Sequence, residues 1–224
     1  MPEGGGDDIG DHRSAQRVRE VYDDIADHFS KTREYAWPEV EEFLADASGR
    51  RGIDVGCGNG RHTELLASHV DHAVGLDVSS GLLASASERM AERGWTGALV
   101  QGDAAALPFA ADSFDVGIYV ATLHHLPTQD ARRGSLDELA RVLDDGGRAL
   151  VSAWSTAHDR FAASADAETG FDTTVDWTLP GGETVPRFYH IYAPAEFDAD
   201  LAASGLDVLD SRISSGNCYA EVRV

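Results

Sequence analysis

Lysine is almost absent from this chain. Lys31 stands alone, and arginine supplies the rest of the 18 basic residues, against 39 Asp and Glu, for a formal net charge of −21. No apolar run approaches the ~20 residues of a membrane-spanning helix, and none follows a basic start in the manner of a signal peptide. Cysteine is scarce, with only Cys57 and Cys218, far apart in sequence. Without a secretion signal no disulfide is expected, and two thiols alone cannot build a structural zinc site. Any zinc therefore comes with a partner. These absences lead to the expectation of a soluble, cytoplasmic chain that holds no metal of its own.

The surplus of acid has two readings, an acidic partner-binding face or a halophilic surface adapted to high salt. The acids run the length of the chain rather than gathering in a tail, which favours the second. Near 1 M salt the Debye length is about 3 Å, so self-repulsion on such a surface is largely screened.

With 224 residues, 42% of them hydrophobic, the chain has room for one sizeable core. The Gly- and Asp-rich start predicts a disordered tail over 1–16, followed by a single domain over 17–224. Val21, Ile25, Ala26 and Phe29 fall at helical spacing within Arg17–Ala47, with a break at Trp37-Pro38. Strands and helices then alternate: strands at Gly52–Val55, Ala73–Leu76, Ala98–Val100, Phe114–Val120 and Arg148–Trp154, and helices at Arg61–Ser68, Gly81–Glu92 and Leu136–Leu143. Residues 155–186 are polar and weakly patterned, as expected of an inserted loop covering a substrate site. A helix over Ala195–Ser204 and β-rich runs at Asp207–Ile213 and Asn217–Val224 close the chain. This order predicts an α/β fold, a Rossmann-like seven-stranded, mostly parallel sheet with helices on both faces and a C-terminal antiparallel hairpin. The end of that hairpin, Tyr219, Val222 and Val224, is a candidate partner surface or simply the sheet edge.

The sharpest motif is Asp54-Val55-Gly56-Cys57-Gly58-Asn59-Gly60, where a strand meets a helix. Glycines there permit a tight turn and close approach of a ligand to the backbone. The G-x-G-x-G spacing departs from the G-x-G-x-x-G of nicotinamide-binding folds. Asp77 ends the next strand, where a carboxylate can accept from both ribose hydroxyls. Asp103 follows the third, where it can accept from the adenine amine. Each aspartate alone is equally a helix cap or turn residue; their order along successive strands favours the cofactor reading. This constellation, over Arg51–Trp154, resembles class I S-adenosylmethionine (SAM) methyltransferases, as does Leu107-Pro108-Phe109 with Ser113-Phe114-Asp115-Val116. The resemblance extends the SAM contacts to Val78, Ala104 and Val120.

Four further patches are similar to tRNA wobble-uridine carboxymethyl methyltransferases. They are Tyr22-Asp23-Asp24-Ile25-Ala26-Asp27-His28-Phe29-Ser30-Lys31-Thr32-Arg33 with Trp37-Pro38; Ala121-Thr122-Leu123-His124-His125-Leu126 with Arg132-Arg133; Arg187-Phe188-Tyr189-His190; and Gly216-Asn217-Cys218-Tyr219. The resemblance implies methyl esterification of the carboxylate of 5-carboxymethyluridine in tRNA. It also implies work in partnership with a small zinc-binding activator protein that covers an exposed sheet edge. The oxygenase fused to this domain in some relatives is not in this chain, and the acidity is unusual for a tRNA binder.

A carboxylate is ionised at pH 7 and needs no general base to accept a methyl group; what it needs is alignment and a charged handle, for which arginine is suited. Arg33 and Arg187 are the candidates, each with a surface ion pair as its alternative. His124 is placed to orient the carboxylate or base, or simply packs; His125 reads as structural. Tyr22 and His28 can close over the methionine end of SAM or pack a helix on the sheet. Tyr189 and His190 are candidates for the base pocket. Arg132 and Arg133 are candidates for tRNA contact, though solvated helix charges explain either one alone. Two other functions stay open: a small-molecule methyltransferase acting on a quinone or phenol, with His124 as base, and a noncatalytic SAM-binding subunit.

Overall fold

The computed structural model describes residues 14–161 and 167–224. The expected tail therefore lies outside the described residues except at its end. There Ala15 and Gln16 are already helical, because the Ser14 side chain accepts from the Arg17 N–H and caps the first turn. That helix, α1 (Ala15–Lys31), precedes α2 (Pro38–Ala45), which starts at the expected Trp37-Pro38 break with proline in its first turn. Then follow β1 (Gly49–Val55), α3 (Arg61–Leu66), β2 (Val70–Asp77), α4 (Ser80–Arg93), β3 (Ala98–Gln101), β4 (Phe114–Val120), α5 (Gln129–Val142) and β5 (Leu143–Trp154). The chain ends in β6 (Phe171–Thr178), β7 (Thr184–Ile191), α6 (Pro194–Ala202), β8 (Asp207–Ser214) and β9 (Asn217–Arg223).

Among the described residues seven strands form one sheet in the order β3-β2-β1-β4-β5-β9-β8. The first five are parallel and β9 runs antiparallel to both β5 and β8, so the expected architecture is present. Leu136 and Leu139 of α5 and Phe197 and Leu201 of α6 pack on one sheet face. Val40, Phe43 and Leu44 of α2 and Leu66 of α3 pack on the other. Strand order reverses between β1 and β4, and the crevice at their C-terminal ends is where ligands bind in open α/β sheets.

Three expectations need correction. Helix α5 begins at Gln129, seven residues before the predicted Leu136, because Thr128 caps it and Arg132 and Ser135 are buried. The region expected to be a loop over 155–186 contains β6, which pairs antiparallel with β7 as a separate two-stranded sheet. In the C-terminal hairpin Tyr219 and Val222 face the core; the exposed apolar side chains are Val208, Leu209 and Ile213 of the edge strand β8, together with Val224.

Helix α1 is fastened over the C-terminal side of the sheet by Asp23. Its carboxylate accepts from the Ser79 hydroxyl at 2.7 Å and the Gly81 N–H at 2.9 Å, at the start of α4. Partial burial works against the charge, but these hydrogen bonds outweigh it and hold the Asp23 pKa below its ordinary value. Asp23→Ala is expected to lower stability by about 1 kcal/mol, the usual scale for loss of a cap. Urea unfolding at pH 7 measures it, and an unchanged midpoint contradicts the fastening role.

Candidate active site

A cavity opens at the C-terminal ends of β1, β2 and β4, with an empty volume of about 750 Å³ counting its mouth. Gly56 and Gly58 form one wall with positive φ of 73° and 55°. A Cβ on Gly56 would stand 2.1 Å from Oγ1 of Thr122, so no larger residue fits. Leu76, Val78, Leu82, Ala104 and Pro127 make apolar surface, and Asp77 and Asp103 supply carboxylates. Asp77 is fixed by the Gly58 and Ser79 N–H groups at 2.8 and 2.9 Å. Burial pushes its pKa up to about 6, against the lowering effect of those bonds.

The donor chemistry of this cavity fits SAM. The cofactor's ribose hydroxyls and adenine amine are donors, and the polar side chains at this end are acceptors. The glycine wall leaves backbone accessible to the amino-acid portion, and the apolar side chains suit the purine faces.

The structure brings Tyr22, Gly56, Gly58, Asp77, Val78, Asp103 and Ala104 to the cavity wall. Other members of the expected set stand behind it. Asp54 is buried and accepts from the Thr63 hydroxyl at 2.6 Å; burial raises its pKa to about 7. The Cys57 sulfur points at Gly75. The Asn59 amide donates to the carbonyls of Ser30 and Arg33, tying down the end of α1. Gly60, in the left-handed conformation, leads into α3. His28 accepts from the Trp177 indole N–H at 3.0 Å, and Val120 gives way at the wall to Ala121 and Thr122. These residues shape the site without lining it.

Several lining residues escaped the sequence reading. Ala15, Val18 and Phe29 extend the Tyr22 face of α1, a stripe visible in the helical period of the chain. Ala121 adopts φ 57°, rare for a residue with a Cβ and common at functional sites. No sequence signal marks that.

His125 also lines the cavity, although it read as merely structural. Its Nδ1 lies 2.9 Å from the Phe188 carbonyl oxygen, which can only accept, so Nδ1 carries the proton. Nε2 is then the acceptor for the Tyr22 hydroxyl at 2.8 Å. Burial pushes the His125 pKa down to about 3, so the ring is neutral. His124 does not line the cavity. It is buried, stacks on Tyr189, and its Nδ1 accepts from the Trp154 N–H at 3.2 Å. Burial holds its pKa well below the usual histidine value.

A smaller recess shares Val18, Tyr22 and His125 with the main cavity, and Arg187 lines it with Pro186 and Phe188. Arg187 is buried at 6% exposure, and its Nη1 donates to the Tyr22 hydroxyl at 3.4 Å. Its Nε has no partner, and its charge lies over the rings of Trp177 and Tyr189 at 5.0 and 5.1 Å. No carboxylate of the described residues pairs with it. Arg33 sits farther out, half-buried over Phe29 and Trp177.

The remaining candidates are engaged elsewhere. Arg132 is buried against Glu196 and over Tyr192, and Arg133 pairs with fully buried Asp200 at 2.7 Å. Both fasten α5 to α6; burial takes Arg132 away from the tRNA surface expected for it, while the Arg133 side chain stays partly exposed. His190 is held between Asp172 at 2.7 Å and Glu196 at 3.1 Å, and Tyr189 is buried under Arg187.

The fold and this cavity define a Rossmann-like SAM-binding protein. The methyltransferase domain family matches residues 53–151. A protein of Encephalitozoon cuniculi named as a methyltransferase is 33% identical over 91% of this chain and 93% of its own length. The chain belongs to the SAM-dependent methyltransferase family. It is 42% identical to the tRNA (carboxymethyluridine(34)-5-O)-methyltransferase alkbh8 of Xenopus tropicalis over 62% of this chain, but spans only 21% of that relative. The protein with the same activity name in Schizosaccharomyces pombe is 28% identical over 90% of this chain and 93% of its own length. Among solved structures, the [4+2]-cyclase SpnF superposes with a TM-score of 0.71 at 18% identity, covering 94% of this chain and 96% of its own. A chain from a complex of the Haloferax volcanii Trm112 methyltransferase activator with a methyltransferase superposes at 0.63 and 18% identity, covering 92% and 96%. These structural likenesses speak to the fold alone.

With SAM seated in this cavity, an ionised Asp77 would be the acceptor for its ribose hydroxyls. Because its pKa is raised to about 6, that form is complete only above this pH. SAM affinity is therefore expected to fall as pH drops from 7 to 5, approaching about tenfold per unit at the limit. Asp77→Asn should bind weakly at both pH values. Calorimetric titration checks this, and a wild-type affinity that is flat across the range would refute the assignment.

Proposed function

We propose that this protein methylates the carboxylate of 5-carboxymethyluridine at the tRNA wobble position, forming a methyl ester. The observation that carries this reading is the buried Arg187 guanidinium without a carboxylate partner, in a recess sharing Tyr22 and His125 with the cofactor cavity. Its charge is supported by the Tyr22 hydroxyl, two aromatic faces and the field of Asp176 rather than by a direct ion pair, and an acceptor carboxylate would supply that missing partner. The curated relatives named for this activity support the same acceptor.

Bound SAM supplies an electrophilic methyl group on a sulfonium. The chain has to hold an acceptor oxygen in line with it and exclude water. Arg187 provides the paired N–H groups that fix a carboxylate, while Tyr22, held by His125, stiffens the partition between recess and cavity. The carboxylate oxygen takes the methyl, the carbon–sulfur bond breaks, and its electron pair stays on sulfur. No proton moves. The two histidines agree with that chemistry, since each has its ring acceptor occupied, His125 by Tyr22 and His124 by the Trp154 N–H. Neither offers the free base that a phenol acceptor would require, so the small-molecule alternative is disfavoured. In this reading residues 155–186, with the β6 strand, belong to the acceptor side of a single domain over 17–224.

The partner belongs to the same reading. A small zinc-binding activator is proposed to pair with an open sheet edge, β3 or β8, as the likeness to a chain from an activator complex suggests. A cytoplasmic location and a halophilic surface complete it; among the described residues no helix is long and apolar enough to cross a membrane.

Arg187→Gln is expected to lower kcat/KM for methyl transfer at least 100-fold while leaving SAM affinity within about threefold. Loss of a charge-assisted pair of about 3 kcal/mol gives that scale. Nucleoside mass spectrometry on tRNA bearing 5-carboxymethyluridine reads the product. Undiminished turnover in the variant would remove Arg187 from the acceptor site.

A further inference from the structure

In a chain this acidic most arginines find a carboxylate, as Arg89 does with Glu64 and Arg93 with Glu34. Among the described residues Arg33 and Arg61 do not. Both are half-buried, and neither lines the cofactor cavity. The Arg61 Nη1 donates to the Tyr35 carbonyl at 3.4 Å, and its guanidinium lies 4.9 Å from the Trp37 ring centroid. Arg33 bonds only to the Thr32 carbonyl and hydroxyl, at 3.2 and 3.5 Å. The Asn59 amide, gripping the Arg33 carbonyl at 2.8 Å, ties the turn that leads into Arg61 to the segment that carries Arg33. Neighbouring carboxylates are turned away: Glu34 and Glu64 to Arg93 and Arg89, and Glu39 to the Ser214 hydroxyl. Burial, and then the charge of Arg33, bring the Arg61 pKa down to about 10, so the two guanidinium groups feel each other. Two like charges held together partly out of water favour an anion between them.

We propose that Arg33 and Arg61 form a subsite for a backbone phosphate of the single-stranded part of the RNA substrate, with the 73% exposed Tyr35 ring as a stacking face for the adjoining base. The proposal rests on the RNA reading above and adds a second anion site, outside the recess of Arg187. Guanidinium forks match phosphate oxygens. An aromatic face beside a cationic site is the usual composition of single-strand binders. The arrangement also answers the charge problem. A chain at −21 repels a polyanion at long range, so RNA has to be caught by local cations left without internal partners. The rival anion is the carboxylate of SAM itself.

The test measures binding of an unmodified anticodon stem-loop to wild type, Arg61→Gln, Arg61→Lys and Tyr35→Ala between about 0.1 and 0.5 M salt, with SAM affinity measured in parallel. Loss of one single-strand phosphate contact should lower the log–log salt slope by about 0.7 in Arg61→Gln. Its affinity should fall about three- to tenfold at the low-salt end, Arg61→Lys should recover most of both, and SAM affinity should not change. Tyr35→Ala should weaken binding without changing the slope. An unchanged slope in Arg61→Gln, a loss of SAM affinity in its place, or no binding of the stem-loop by wild type overturns the subsite. Methyl transfer to a stem-loop carrying 5-carboxymethyluridine separates the two readings. If slopes differ but no methyl is transferred, the subsite stands and the proposed acceptor falls.

Discussion

The hydrogen bond from the Tyr22 hydroxyl to His125 holds the site together. It joins α1 to the turn after β4, and the other ring nitrogen of His125 joins that turn to the Phe188 carbonyl of β7. Arg187, one residue earlier in β7, donates to the same Tyr22 oxygen. Three segments distant in sequence thus meet in one directed chain of donors and acceptors, from guanidinium to phenol to imidazole to carbonyl. Each member has its role set by the next, which fixes the histidine tautomer without a charged partner. The partition between the cofactor cavity and the recess of Arg187 exists because these segments meet there.

The chemistry follows from what the partition lacks. Its histidines are neutral and their acceptor nitrogens occupied, so it provides no base. Its cation is buried and unpaired, so it provides a handle for an anion. A nucleophile that is already ionised suits such a site, and a phenol does not. The cofactor side is complementary: acceptors for the hydroxyls and amine of SAM, glycine backbone in place of side chains, and an α1 stripe closing over it.

Much of this was legible in the sequence. Strand alternation gave the sheet, and Asp54, Gly56, Asp77 and Asp103 marked successive strand ends, because a backbone-approach site needs glycine and ribose needs a carboxylate. What sequence could not separate was lining from support. Asp54 stands at the end of β1 and Cys57 and Asn59 share the turn of Gly56 and Gly58, yet neighbouring side chains there point in different directions, and these three are buried away from the cavity. Arg132 looked solvated because its helix reads as polar there; Glu196, more than sixty residues away, makes its burial tolerable. The β6 strand was missed although Phe171, Val175 and Trp177 fall at alternate positions, because polar Asp and Thr residues between them read as loop; Val175 packs on Tyr189 and Ile191 and Trp177 on α1. His125 looked like a spacer beside His124, and only the folded chain shows which ring faces the cavity.

The measurement that tests the central claim most directly is the pH dependence of single-turnover methyl transfer to an anticodon stem-loop bearing 5-carboxymethyluridine, with SAM saturating. An acceptor carboxylate held by Arg187 without base catalysis predicts a rate constant that is flat from about pH 7.5 to 9, above the titration of the acceptor near 4, of His125 near 3, and of Asp77 and Asp54 at about 6 and 7. A rate that climbs with unit slope across that range would mean that a proton is removed in the transition state, and would contradict the account.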